Sequence, residues 1–95
     1  MNPSSAPLIH HDPQQKRFAL TLDGHEAELG YVREPGRLII THTGVPGPLE
    51  GRGLAAALVA AALDHARAEG LKVVPACSYA AAYLQRHPEY AGLLE

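Results

Sequence analysis

Three features of the sequence predict a mixed α/β (α+β) fold. Three segments between Arg17 and Thr43 carry strand-like apolar patterns and are separated by Asp23-Gly24 and Pro35-Gly36. A Gly/Pro-rich loop then runs into one long Ala/Leu helix. A short β-branched run follows, and then a second, shorter helix. The order is β-β-β-loop-α-β-α. Its first part is an antiparallel three-stranded meander. Its second part is a β-α-β unit, whose right-handed crossover makes the third and fourth strands parallel neighbours.

Each element has a local cause. Residues 1–15 read as an N-terminal tail, disordered or extended, interrupted by Pro3, Pro7 and Pro13. His10 and His11 lie within it as solvated histidines. Residues 16–95 form a single domain. Phe18, Leu20 and Leu22 alternate with Arg17, Ala19 and Thr21, the period of a half-buried strand. Asp23-Gly24 supplies a two-residue hairpin turn, because Gly adopts positive φ at little cost. Ala27, Leu29 and Tyr31 form the apolar side of the second strand. Arg37 to Thr43 is the third, and its consecutive Leu38-Ile39-Ile40 predicts cover on both faces.

The helix runs from Leu54 to about Glu69. Leu54, Leu58, Ala62 and Ala66, with Val59 and Leu63, make one apolar stripe. Gly70 suits the position just past its end. Leu71 to Val74 is the fourth strand, closed by Pro75. Ser78 is positioned to cap a second helix that stops before His87-Pro88.

Composition narrows the function. The chain has 95 residues, of which 46% are hydrophobic and 19% charged, a balance that supports one modest core. Its net charge of -2 disfavours sequence-independent nucleic-acid binding, which needs a basic surface. No apolar run is long enough to span a bilayer, so no membrane partner is expected. Met1 to Ala6 shows no signal-peptide pattern. The lone Cys77 rules out an internal disulfide, and a reducing, cytoplasmic setting is expected. No metal site is expected.

Gly51-Arg52-Gly53 is the most informative segment. It follows a strand and opens a helix, where backbone N–H groups lack partners and the helix dipole is positive. Glycines allow close approach of a phosphate, and Arg52 adds a cation. The segment matches neither the dinucleotide fingerprint nor a P-loop, since Ala56 replaces the third glycine and no Gly-Lys-Ser/Thr occurs. A loop that needs glycines only for its turns is the structural alternative.

Thr41-His42-Thr43-Gly44-Val45-Pro46, Gly51-Arg52-Gly53-Leu54-Ala55, Cys77-Ser78-Tyr79 and Tyr83 together resemble the small single-domain branch of the GNAT superfamily. These are compact relatives of acetyl-CoA-dependent N-acetyltransferases. The resemblance covers about Phe18 to Tyr90. It implies a sheet splayed between the third and fourth strands. The pantetheine arm of CoA would lie in the opening, and the pyrophosphate on the loop and helix start. Coenzyme-binding residues would be Thr41, His42, Thr43 and Val45 along the strand, and Gly51, Arg52, Gly53, Leu54 and Ala55 at the phosphates.

Two departures matter. The superfamily's Gln/Arg-x-x-Gly-x-Gly/Ala signature falls on Pro48 at its first position, which offers no donor. Phosphate contact then rests on backbone amides from Gly51 to Ala55, with Arg52 beside them. The Asp23-Gly24 turn also leaves no room for the helices that usually wall the acceptor site. An open acceptor side fits a bulky peptide or protein amine, or weak turnover.

The resemblance places Cys77 near the CoA thiol, which makes it the candidate nucleophile, since a thiolate can accept an acetyl group from a thioester. Its structural alternative is a small buried hydrophobe. His42 is a candidate general base toward an ammonium acceptor, or else a histidine that orders the splay. Tyr79 is a candidate acid toward the departing CoA thiolate. Tyr83, one turn on, reads as a packing residue. His87 to Tyr90 reads as a structural lock, His25 and His65 as surface residues, and Glu26 and Glu28 as a solvated strand face. The resulting expectation is an N-acetyltransferase acting from acetyl-CoA on an unidentified primary amine, as a monomer or weak dimer. The alternative is a non-catalytic CoA-binding sensor or partner-binding module.

Overall fold

The computed structural model describes residues 8–95. The first seven residues of the segment read as a tail lie outside them. In chain order the elements are β1 (His10–Asp12), β2 (Arg17–Leu22), β3 (His25–Glu34), β4 (Arg37–Gly44), α1 (Leu54–Ala68), β5 (Lys72–Pro75) and α2 (Ser78–Arg86). Short 3₁₀ helices occupy Gly47–Leu49 and Pro88–Leu93. The five strands form one sheet in the order β1-β2-β3-β4-β5. All neighbours are antiparallel except β4 and β5, which are parallel.

The meander therefore has one strand more than its sequence pattern indicates. His10 to Asp12 pair with Ala19 to Arg17. Three residues are too few to display a period. What anchors β1 is a side chain: the His11 ring stacks on Phe18, with centroids 4.1 Å apart and planes within 3°. His11 Nε2 is 2.5 Å from the Tyr31 hydroxyl oxygen. His65 of α1 packs edge-on to His11 at 4.4 Å. Both rings, expected at the surface, are half-buried.

Both helices lie on one face of the sheet. The α1 stripe of Leu54, Leu58, Val59, Ala62, Leu63 and Ala66 is buried as its spacing predicts. It packs over Phe18, Leu20, Ala27, Leu29, Leu38 and Ile40 in a single core. Gly70, at φ 70°, ends the helix. Ala80 and Leu84 bring α2 onto the same core.

The other face carries no helix among the described residues, which corrects the expectation of two-sided cover for β4. Leu38 and Ile40 are fully buried, but Ile39 is half-buried and in register with Val32 and Val74. The described residues have two α-helices, and both are on the Leu38/Ile40 side. Arg17 on the open face bridges Glu26 at 2.8 Å and Glu28 at 3.1 Å.

No helix is long and apolar enough to cross a membrane among the described residues. Short β1 covers one sheet edge, and a bridge from Leu94 to Val73 partly covers the other.

Candidate active site

The site begins where β4 and β5 part. Their last paired residues are Ile40 and Pro75. The Cys77 N–H still donates to the Ile40 carbonyl at 3.0 Å. Beyond that, Thr41 to Gly44 continue with no β5 partner. Pro75 ends the strand, and the chain turns into α2. The resulting cleft has a volume of about 510 Å³. Thr43, Gly44 and Val45 form its strand wall, Gly51, Gly53, Leu54 and Ala55 its loop wall, and Tyr79 reaches it from α2.

The loop wall is held by Leu49, which is fully buried in the core. Gly51 and Gly53 take φ of 81° and 75°, a region costly for side-chain-bearing residues. Gly53 is the N-cap of α1, with no side-chain cap and no acidic residue in the first turn. The positive end of the helix dipole is thus uncompensated and faces the cleft. Pro48 lies in the 3₁₀ turn and contributes no N–H donor.

Arg52 does not line the cleft. Its guanidinium donates to the Asp23 carboxylate at 2.9 Å, across to the β2–β3 hairpin. This pairing spans 29 residues and has no local sequence signal.

A β-bulge decides which way the end of β4 faces. Tyr31 pairs with Ile40, but Gly30 pairs with His42, leaving Thr41 as the extra residue. Thr43 is thereby turned to the core face opposite Leu29, and His42 to the open face. Simple alternation from Leu38 and Ile40 gives the opposite assignment. Thr41 donates its hydroxyl to the Gly30 carbonyl at 3.1 Å. The exposed His42 ring has Nε2 3.4 Å from a Glu28 carboxylate oxygen. Glu28, read from sequence as a solvated face residue, is therefore the neighbour of the candidate base. The register that joins them depends on the bulge.

Cys77 is half-buried and is the N-cap of α2, a position the sequence assigned to Ser78. Thr43 Oγ1 is 3.6 Å from its sulfur. Burial disfavours the thiolate. Hydrogen bonds from the Ala80 N–H, the Thr43 hydroxyl and the Tyr79 N–H outweigh that, holding the thiol below its ordinary range. Tyr79 is 41% exposed and lines the cleft. The structure brings together Thr43, Cys77 and Tyr79 on the helical side. It sets His42 with Glu28 on the open side, and no hydrogen bond links the two groups.

The C-terminal segment clasps α1. Tyr90 donates to Asp64 at 2.9 Å, Arg67 donates to the Glu89 carbonyl at 3.0 Å, and the Arg67 guanidinium lies 4.8 Å from the Tyr90 ring centroid. No cluster of metal-ligating side chains occurs among the described residues.

This geometry agrees with the comparisons to known proteins. Protein NATD1 of Xenopus tropicalis is 33% identical over 91 residues, covering 93% of this chain and 84% of the relative. Protein NATD1 of Mus musculus is 35% identical over 83 residues, covering 84% and 76%. The NMR solution structure of a GCN5-like protein from Staphylococcus aureus superposes with a TM-score of 0.75 at 28% identity, covering 97% of this chain and 91% of that one. The family profile described as GCN5-related N-acetyl-transferase matches residues 17–93. With the splayed strands, the uncapped helix start and that match over most of its length, the chain belongs to the GCN5-related N-acetyltransferase family.

Proposed function

We propose that the protein transfers an acetyl group from acetyl-CoA to a primary amine of a peptide or protein. The observation that carries this reading is the cleft between β4 and β5. It is open to main chain on one side and has an uncapped helix start at one end, and Thr43 of its strand wall lies 3.6 Å from the sulfur of a cysteine whose thiol is held below its ordinary range. Pantetheine amides would pair with the free main-chain groups of Thr41 to Val45, as a strand pairs with an edge. The pyrophosphate would accept hydrogen bonds from the amides of Gly51 to Ala55.

In this reading His42, held near Glu28, takes a proton from the incoming ammonium on the open face. Cys77, as thiolate, attacks the thioester carbonyl, and the carbon–sulfur bond to CoA breaks. The CoA thiolate takes a proton from the Tyr79 hydroxyl. The amine then attacks the acetyl-cysteine, restoring the thiolate and releasing the amide. The proton lost by the amine passes through water to Tyr79. The helix-free sheet face leaves room for a bulky acceptor.

The test has two parts. Calorimetric titration with acetyl-CoA is expected to show binding, and no heat at millimolar ligand would overturn the reading. Intact mass after incubation is expected to show an acetyl adduct that Cys77→Ser removes. A second reading, a CoA-binding module without turnover, is favoured by the missing acceptor wall at the Asp23-Gly24 turn. Tight binding with neither adduct nor turnover across a panel of peptide amines would select it.

A further inference from the structure

A chain of charged groups crosses the open face of the sheet and ends at His42. Strand register sets it up. Arg17 of β2 is opposite Gly30 on one side, and His42 of β4 is opposite Gly30 on the other. Glu28 lies two residues before Gly30 on β3, on the same face, and reaches both. Arg17 Nη1 is 3.1 Å from Glu28 Oε1, and Glu28 Oε2 is 3.4 Å from His42 Nε2. The two oxygens of one carboxylate are thus divided between a guanidinium and an imidazole. Arg17 Nη2 holds Glu26 at 2.8 Å, and Asp12 of β1 is in register with Arg17. β5 adds no group beside His42, since its pairing ends at Pro75 opposite Ile40, and both helices pack on the other face.

This division selects one tautomer of the imidazole. A carboxylate only accepts, so Nε2 carries the proton that points at Glu28. In the neutral ring Nδ1 is then the acceptor. Nδ1 sits beside Gly30, where an added Cβ would be 2.8 Å away. The glycine keeps that nitrogen open. The half-buried Arg17 is forked between two carboxylates, which fixes the Glu28 carboxylate more firmly than contact with the exposed His42 alone would.

We propose that Arg17 is a positioning residue for His42, acting through Glu28. By holding one carboxylate oxygen it aims the other at Nε2, and Nδ1 becomes the nitrogen that takes the proton of the acceptor ammonium. In that step an N–H bond of the ammonium breaks and an Nδ1–H bond forms. The imidazolium charge then lies against the Glu28 carboxylate, and the proton leaves through water. The inference rests on the proposed role of His42 in acetyl transfer.

Turnover of a lysine peptide at saturating acetyl-CoA, followed from pH 7 to 10, tests it. At pH 7 Arg17→Gln is expected to lower turnover about two- to fivefold, the range of an exposed ion pair. The loss should close as pH rises toward about 10, where the lysine amine arrives neutral and needs no base. Affinity for acetyl-CoA by calorimetry should stay at the parent's value, which also reports that the variant folds. If Arg17→Gln does not fold, Arg17→Lys, which keeps the charge but not the fork, is expected to show the same closing loss. In a Glu28→Ala background, Arg17→Gln is expected to cost nothing further. A loss equal at every pH, a further loss in the Glu28→Ala background, or parental turnover at pH 7 overturns this inference alone. Absence of turnover in the unaltered chain overturns the proposed function with it.

Discussion

The Arg52 guanidinium of the glycine loop donates to the Asp23 carboxylate at 2.9 Å. The cation nearest the proposed phosphate site is thus held by a carboxylate of the β2–β3 hairpin. Asp23→Asn keeps a residue that tolerates the φ of 53° found there and removes the charge. It is expected to raise affinity for coenzyme A about two- to fivefold at low salt, the range of an exposed ion pair. The gain should vanish at high salt. Arg52→Gln should lower affinity. Calorimetry at two ionic strengths measures both, and an Asp23→Asn affinity equal to the parent's would show that the pair does not compete with phosphate.

Thr43 and Cys77 make a second prediction. The Thr43 hydroxyl is one of the groups that hold the Cys77 thiol below its ordinary range. Thr43→Val is expected to raise the thiol pKa, and Thr43→Ser to preserve it. The pH dependence of iodoacetamide alkylation reads this directly, without any acyl donor. Identical profiles for the Val and Ser variants would contradict the assignment.

His42 depends on Gly30. A Cβ added at Gly30 would lie 2.7 Å from His42 Cε1 and 2.8 Å from Nδ1, so the ring occupies the space a larger residue would fill. Gly30→Ala must displace the ring from its present position beside Glu28. The ring is exposed and free to move, so the stability cost should stay below about 1 kcal/mol by urea titration. Turnover should fall with little change in the KM for acetyl-CoA. Unchanged turnover would remove His42 from the mechanism.

His11 predicts a pH dependence of stability. Burial lowers its pKa below 6.5, the nearby His65 lowers it further, and Asp12 opposes both. Phe18 and Tyr31 complete its surroundings. Below pH 6.5 the unfolded chain binds the proton more readily than the folded one. Stability contributed by neutral His11 is thus complete above 6.5 and lost as pH falls through the lower folded value. Melting temperature should drop between neutral and mildly acidic pH. His11→Gln should flatten the drop while lowering stability near neutrality, through loss of the stack on Phe18. An unaltered slope in that variant would place the acid sensitivity elsewhere.

Much of the fold was legible because its signals are local. The α1 stripe repeats every third or fourth residue, the hairpin turns contain glycine, and the order β-α-β fixes a parallel pair. The site was legible in part. Gly51, Gly53, Leu54, Ala55, Thr43 and Val45 line the cleft together with Tyr79. Arg52, His42, Thr41 and Cys77 do not line it, and each sits where a distant partner holds it. Arg52 is turned aside by Asp23. His42 is turned to the open face by a single extra residue in β4, which no alternation rule detects. β1 is too short for a period and is anchored by contacts of His11 with residues of β2, β3 and α1.

The sequence by itself determined the element order, the helical stripe, the turns and the uncapped glycine start of α1, because each depends on neighbours within a few residues. Only the tertiary structure decided which face His42 presents, what Arg52 holds and what surrounds the Cys77 sulfur. Those contacts join residues 14, 29 and 34 positions apart. The first and last are set by strand register and one bulge, and the second joins a hairpin turn to the glycine loop. A shift of one residue there exchanges the two faces of the sheet, with no change in local pattern.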